Sequence, residues 1–457
     1  MEAVSGKTAQ DGGPRATSWA EVVRLRTLPA AVAPVILGSG AAAATGDLSW
    51  VRSFLAAGVA LALQVGCNLA NDYSDGVRGT DDDRTGPPRL TASGQVAPRT
   101  VKLAAFGCFG IGALLGLALV VLSGQWWLLA VGAAAIAAAW FYTGGSHPYG
   151  YAGLGEVFVF VFFGLVATVG TTYVQAGTVP GWLWPSACGI GLLACSLLMV
   201  NNLRDIDTDP HHGKMTLAVR LGEEGARRVF SLMLHVPLLL GPVALVWARE
   251  TGSASPVDGG GHISPLLTLV IALAAPLLLL PLVRRATAPV RSGARGRALI
   301  ASLRDAGLLE LAYGVVFLAA LQALLMAAAE HRLHPRRQDR AGLITTLLAR
   351  GHQALPPLMV LERILFNVIS VAFVLLLLTT ASGGLFSEEI FGRPLTLNHK
   401  TVFSLVATIF FGLLLLGRRL WGWRGRLAIR LTLGGFILLL LSYVGSRFVL
   451  EVILNRI

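Results

Sequence analysis

The chain has 457 residues, 54% of them hydrophobic and only 14% charged, with a net charge of +12. So apolar a composition excludes a soluble globular protein and indicates a polytopic membrane protein. The basic residues lie mainly in loops between apolar runs, where they orient membrane segments, so nucleic acid is not an expected partner.

Residues 1–18 are polar and Gly-rich, without an apolar core ahead of a small-residue cleavage site, and read as a disordered cytoplasmic tail. Nine apolar runs of spanning length follow: Leu28–Ala44, Ser53–Ala70, Leu103–Leu122, Trp126–Tyr142, Val157–Val174, Trp182–Val200, Val229–Ala248, Pro265–Val283 and Leu308–Ala329. Three more lie near Leu365–Thr380, Val402–Leu416 and Leu431–Val444. The expected fold class is all-α, a transmembrane bundle of nine helices at 19–330, followed by a basic linker at 331–357 and a three-helix membrane segment at 358–457.

Loops 71–102, 203–228 and 284–304 are rich in Lys and Arg, whereas 45–51, 175–181 and 250–263 have none. The positive-inside rule therefore places the N-terminus and the rich loops in the cytoplasm. Cys67, Cys108, Cys188 and Cys195 all fall in apolar spans without metal-ligand spacing, so packing is their expected role.

Two acidic clusters stand at span ends. Asn68 to Arg84, NLANDYSDGVRGTDDDR, follows the second run, and Asn201 to Lys214, NNLRDIDTDPHHGK, follows the sixth. An even number of crossings puts both at the cytoplasmic face. On a helix, Asn68, Asp72 and Asp75 fall within about 60° of one another, and Asn201, Asp205 and Asp209 within about 80°. Asp207 points away from the second stripe, and Asp81, Asp82 and Asp83 lie in a Gly-flanked loop. Carboxylates at helix C-termini oppose the macrodipole and would repel across two facing stripes unless cations bridged them.

Carboxylate oxygens select a hard cation, and Mg²⁺ commonly shares its shell with substrate phosphates. Arg78, Arg84, Arg89, Arg204, Lys214 and Arg220 adjoin the clusters and suit a diphosphate. Apolar walls below such a clamp describe a cavity for a long prenyl diphosphate, dry enough to shield an allylic cation. A transporter is the competing reading, but transport sites lie near the bilayer midplane in broken helices and these clusters lie at helix ends.

A further element is the loop YTGGSHPYGY from Tyr142 to Tyr151, with Glu156 at the head of the next span. Tyr142, Tyr149 and Glu156 share the cytoplasmic side with the clusters and are candidates to contact an aromatic acceptor. His211 and His212 have no acidic or Cys partner at ligand spacing and read as solvated. Glu310, near the cytoplasmic end of the ninth run, is expected to snorkel to the interface.

At NDYSDGVRGTDDDRTGPPRLTASG, YTGGSHPYGYAGLGEVFVFVFFG and NNLRDIDTDPHHGKMTLAVRLG, the chain resembles the UbiA superfamily of intramembrane aromatic prenyltransferases over about residues 19–329. Within it, the chain is most similar to the menaquinone-pathway branch. The resemblance implies Mg²⁺-dependent transfer of a polyprenyl group from its diphosphate to 1,4-dihydroxy-2-naphthoate, with decarboxylation, at the cytoplasmic side of a bacterial inner membrane. It implies that Asn68, Asp72, Asp75, Asn201, Asp205 and Asp209 hold Mg²⁺ and diphosphate, assisted by Arg84, Lys214 and Arg220. Because the Asp motifs are shared across the superfamily, 4-hydroxybenzoate, homogentisate or a porphyrinoid remain alternative acceptors. His147 stands where the branch commonly has Lys or Arg, which leaves carboxylate pairing there open.

The C-terminal stretches LPPLMVLERILFNVIS, SGGLFSEEIFGRPLTLNHKTVFSL and GWRGRLAIRLTLGGFILLLLSYVGSRFVLEVIL resemble the end of a YpjD/CcsA-like cytochrome c assembly protein, without its Trp-rich haem-binding segment. Span parity conflicts there. Nine spans leave residue 330 outside, while the Arg-rich linker belongs inside.

Overall fold

The computed structural model describes residues 27–80, 89–251, 265–333 and 399–423, with Arg24, Phe366, Ile369, Ser370, Phe373 and Leu431 besides. Among these residues every regular element is helical: α1 (Leu28–Thr45), α2 (Trp50–Val77), α3 (Pro98–Ser123), α4 (Leu128–Phe141), α5 (Gly155–Ala176), α6 (Leu183–Arg204), α7 (Leu217–His235), α8 (Pro237–Glu250), α9 (Pro265–Arg291), α10 (Ile300–Leu333) and α11 (His399–Trp421). Eight stretches are long and apolar enough to cross a membrane, with α7 and α8 acting as one, while α4 has only 14 residues. The nine expected spans before residue 330 thus all coincide with helices, the fourth being short.

Backbone contacts divide the chain into two compact units, the first comprising Met1–Ala42, Asp47–Ala244 and Leu282–Leu318, the second Ala43–Gly46, Leu245–Pro281 and Ala319–Ile457. In the second, Phe366, Ile369, Phe411 and Leu414 form a buried cluster, and the Arg418 guanidinium lies 3.8 Å from the Phe366 ring centroid. The run Val402–Leu416 falls inside α11. The tail 1–18, most of the linker 331–357, and most of the runs Leu365–Thr380 and Leu431–Val444 lie outside the described residues.

In the first unit, α2 and α3 form an antiparallel hairpin whose core is Leu69, Ala70, Leu90, Val101, Ala105 and Phe109. The polar residues that end the second apolar run do not end the helix. Asn68, Asn71, Asp72 and Asp75 are all buried on α2, so its last turns carry amides and carboxylates inward. A π-helical stretch, Phe160–Val166, interrupts α5 where it meets α6. There a Cβ on Gly164 would lie 2.4 Å from the Gly191 Cα, so only paired glycines permit the approach.

At the end of α2 opposite its acidic residues, one side chain ties three helices together. Arg52, in the first turn of α2, donates to the carbonyls of Val174 (2.9 Å), Gln175 (3.2 Å) and Leu122 (2.6 Å), the last turns of α5 and α3. These carbonyls have no partner within their own helices, so one guanidinium satisfies two helix ends. Ser49 N–H donates to Gln175 Oε1 at 2.8 Å beside it. Arg52→Met is expected to lower the midpoint of thermal aggregation in detergent, by an amount worth on the order of 2 kcal/mol. An unchanged midpoint would remove Arg52 from this role.

Glu310 corrects the snorkelling expectation: it is fully buried in α10, and neither carboxyl oxygen has a hydrogen-bond partner among the described residues. It lies more than two turns into the helix, too deep for its short stem to reach the interface. Asp305, nearer the N-terminus of α10, pairs with Arg285 at 3.1 Å and Arg304 at 3.0 Å.

Candidate active site

A cavity of about 540 Å³ lies in the first unit, among α1 to α6. Its lining on α2 runs from Asp75 to Ala56, nineteen positions or about 28 Å of helix, close to the thickness of a bilayer core. At its polar end it is lined by Arg24, Asn68, Asn71, Asp75, Arg89, Asn201, Asp205 and Lys214. Farther in, Ala56, Val59, Leu119, Leu128, Phe162 and Val174 make the walls apolar.

The two acidic clusters meet at this mouth. From α2, Asn68 and Asp75 line the cavity, and the Tyr151 hydroxyl donates to Asp75 Oδ1 at 2.8 Å. Asp72, fully buried, does not line it. Its oxygens accept the backbone N–H groups of Leu90 (3.1 Å) and Thr91 (3.0 Å), so it anchors the chain returning from the first cluster, with Arg89 directly before the anchor. From the end of α6, Asp205 is held by Arg204 through two hydrogen bonds, Nε to Oδ1 at 2.9 Å and Nη2 to Oδ2 at 2.7 Å. Arg204 Nη1 also donates to Asn201 Oδ1 at 3.0 Å, which orders the whole helix end.

Asp209 is buried in a one-turn helix, Asp209–His212, with Lys214 Nζ 3.5 Å from its Oδ1 and no hydrogen-bond partner on Oδ2 among the described residues. Burial pushes its pKa up to about 6, Lys214 pulls against that, and the charges of Asp205 and Asp75 add to the rise. A raised carboxylate pKa opposes folding wherever the unfolded chain would already ionise the group, so the cost is absent below the ordinary value of 3.8, builds from there to about 6 and is constant above. In the presence of a chelator, Asp209→Asn is therefore expected to raise thermal stability at pH 7.5, by at most about 3 kcal/mol, and not at pH 4. An equal effect at both pH values would refute the electrostatic origin.

The other expected residues are distributed unevenly. Tyr142 and Tyr149 line the cavity with their rings edge-on at 5.6 Å. Tyr149 stacks on Phe158 at 4.0 Å and donates to Ala138 O at 2.7 Å. Burial raises the phenol pKa of Tyr149, so it remains a protonated donor. Gly150 lets the loop fold onto Tyr142: a Cβ there would lie 2.6 Å from the Tyr142 carbonyl oxygen. Glu156 is buried outside the lining, accepting from Asn202 Nδ2 at 3.1 Å through Oε1, with Oε2 unpartnered among the described residues. Arg220 is exposed, donates to Met215 O at 3.3 Å and packs over Gly153. Asp207 faces solvent 4.0 Å from Arg295, and His147 is exposed beside Ser146. Arg84 and Asp81 to Asp83 lie outside the described residues.

Four participants were not anticipated. Arg24 and Gln64 join the lining, Asn202 holds Glu156, and Tyr151 bridges the loops. Asn202 and Tyr151 lie inside motifs already singled out, but Asn202 falls off the stripe of Asn201, Asp205 and Asp209, and Tyr151 is one of three tyrosines in its loop. All four cysteines are free thiols. Among the described residues no three His, Cys, Asp or Glu side chains are grouped to hold a metal ion by themselves.

The chain belongs to the UbiA prenyltransferase family, whose profile matches residues 31–295. It is a membrane-embedded enzyme of that family, a prenyltransferase. Over 308 residues it is 47% identical to the 1,4-dihydroxy-2-naphthoate octaprenyltransferase of Mycobacterium tuberculosis, covering 66% of this chain and 96% of that protein. The Escherichia coli protein of the same name is 42% identical over 227 residues, 48% of this chain and 73% of the relative. Among solved structures, a UbiA homolog from Archaeoglobus fulgidus bound to DMAPP and Mg²⁺ is 14% identical, with a TM-score of 0.46 over 66% of this chain and 99% of that one. The Cytochrome C assembly protein profile matches residues 266–454. In that region the chain is 32% identical to the inner membrane protein YpjD of Escherichia coli over 147 residues, 32% of this chain and about half (51%) of that protein.

Proposed function

We propose that the protein transfers a polyprenyl group from polyprenyl diphosphate to 1,4-dihydroxy-2-naphthoate, with loss of CO₂, at the cytoplasmic face of a bacterial inner membrane. The observation that carries this reading is one continuous cavity with carboxylates from both acidic clusters and cationic side chains at its mouth, and apolar walls below. The name shared by the relatives supports the acceptor.

The diphosphate sits at the mouth, where Lys214 and Arg89 offset its charge, and the prenyl chain extends along α2 into the apolar part. Asp75, Asp205 and Asp209, with Asn68 and Asn201, would hold Mg²⁺. The buried, unpartnered Oδ2 of Asp209 and the all-oxygen carboxylate and amide donor set fit such a hard cation. Bound there, Mg²⁺ would neutralise the leaving diphosphate. Asp72 supports the site by fixing the segment that carries Arg89.

In the transfer, the bond between prenyl C1 and the diphosphate oxygen breaks, and a bond forms to the ring carbon bearing the acceptor's carboxylate. That carboxyl group then departs as CO₂, its bonding pair returning to the ring. Tyr142 and Tyr149 contact the acceptor from the cavity wall. Glu156 acts from behind them, held by Asn202. The dry walls keep water from the developing cation.

Membranes carrying the protein, supplied with Mg²⁺, a polyprenyl diphosphate and labelled 1,4-dihydroxy-2-naphthoate, should yield a lipid-soluble prenylated naphthoquinol and release CO₂. Turnover of 4-hydroxybenzoate with none of the naphthoate would overturn the acceptor assignment.

A further inference from the structure

Tyr151 bridges three segments beside the mouth. Its hydroxyl donates to Asp75 Oδ1 at 2.8 Å and lies 3.1 Å from Thr80 Oγ1, so it reads the first acidic cluster. Its backbone carbonyl accepts from Met215 N–H at 2.9 Å, in the segment after the second cluster. Two cations lie near its ring: the Arg78 guanidinium carbon 5.3 Å and the Lys214 ammonium 5.7 Å from the centroid, both within cation–π range. Arg78 in turn donates to the carbonyls of Thr143 and Gly145, and Thr143 Oγ1 donates to Asn71 Oδ1 at 2.8 Å. The loop from Thr143 to Gly153 is tied to α2 through Arg78, Asn71 and Tyr151, and the Tyr151 ring is what also brings Lys214 to it.

The hydroxyl's carboxylate partner is Asp75. Lys214, by contrast, is shared: it also lies 3.5 Å from Asp209. Any anion that draws Lys214 or Arg78 toward itself changes what the ring holds.

We propose that Tyr151 is a positioning residue that couples the cation and diphosphate site to the acceptor loop, the hydroxyl setting Asp75 and the ring, between Arg78 and Lys214, setting the loop. The proposal rests on the functional reading above, and its two halves are separable by mutation. Tyr151→Phe keeps the ring and removes only the donor to Asp75. Tyr151→Leu removes both.

The test measures half-saturating Mg²⁺ for binding of a labelled prenyl diphosphate to detergent-solubilised protein, and KM for naphthoate in membranes. Loss of one hydrogen bond to a charged group should shift half-saturating Mg²⁺ about tenfold in Tyr151→Phe, with KM for naphthoate within about twofold of wild type. Tyr151→Leu should show the same Mg²⁺ shift and a KM for naphthoate raised by about tenfold more. An unchanged Mg²⁺ dependence in Tyr151→Phe, or identical behaviour of the two variants, would overturn the proposal. The binding measurement needs no acceptor. A wild type that binds prenyl diphosphate but leaves naphthoate unreacted would defeat the functional reading alone, and the Mg²⁺ shift would still decide the role of Tyr151.

Discussion

Asp205→Ala should reduce prenyl transfer by about 10³-fold, because the charge built on departing diphosphate is neutralised by groups preset at the mouth. The carboxylate is fixed before substrate arrives: Arg204 holds both its oxygens, and Asn201 holds Arg204. Asp205→Asn separates charge from shape. It retains an acceptor for the buried Arg204 but not the negative charge, and should lose nearly as much activity with less loss of stability. Asp75→Ala should be comparably inactive, since Asp75 reaches the same mouth from α2. The measurements are initial rates in membranes, together with the amount of protein inserted and its dispersity after extraction. Full activity of Asp205→Ala in well-inserted protein would remove the clamp from the mechanism.

The second large effect concerns the donor's chain. Gly170 on α5 lines the cavity's apolar part, and a Cβ there would meet no atom within 4 Å. Gly170→Leu therefore starts its side chain in open space and adds bulk to the part of the cavity proposed for the prenyl chain. It should lower kcat/KM for a long polyprenyl diphosphate by about a hundredfold, with a short donor such as geranyl diphosphate kept within about threefold of wild type. Competition between the two donors in one assay gives the ratio directly. An unaltered ratio would place the chain elsewhere.

Several features could be read from the residues because their physics is local. Apolar runs of spanning length coincide with helices, and the spacing of Asn68 with Asp75 and of Asn201 with Asp205 brings those four side chains to one mouth. Helical periodicity could not separate Asp72 from Asp75, since both lie on the buried face. The difference arises from tertiary contact: two backbone amides of the returning segment claim Asp72. Glu310 shows the opposite difficulty. A carboxylate near a helix end ordinarily reaches water, and only the packed bundle reveals that this one does not. Tyr151 was hidden for a third reason. Its importance comes from partners at Asp75, Arg78, Lys214 and Met215, distant in sequence, and its own residue type also suits a plain interfacial anchor.

The closure at Arg52 bears on the membrane as a whole. A polar-mouthed cavity extending about 28 Å along α2 spans almost the full insulating layer of a bilayer, and such a shaft left open at both ends would be a pore. Val35, Ala56, Leu119 and Val174 form a buried apolar cluster at its inner end, and Arg52 pins the ends of α3 and α5 beyond them. On the proposed function, the packing of this cluster and the Arg52 contacts would be what keeps so deep a reaction chamber from short-circuiting the ion gradients of its membrane.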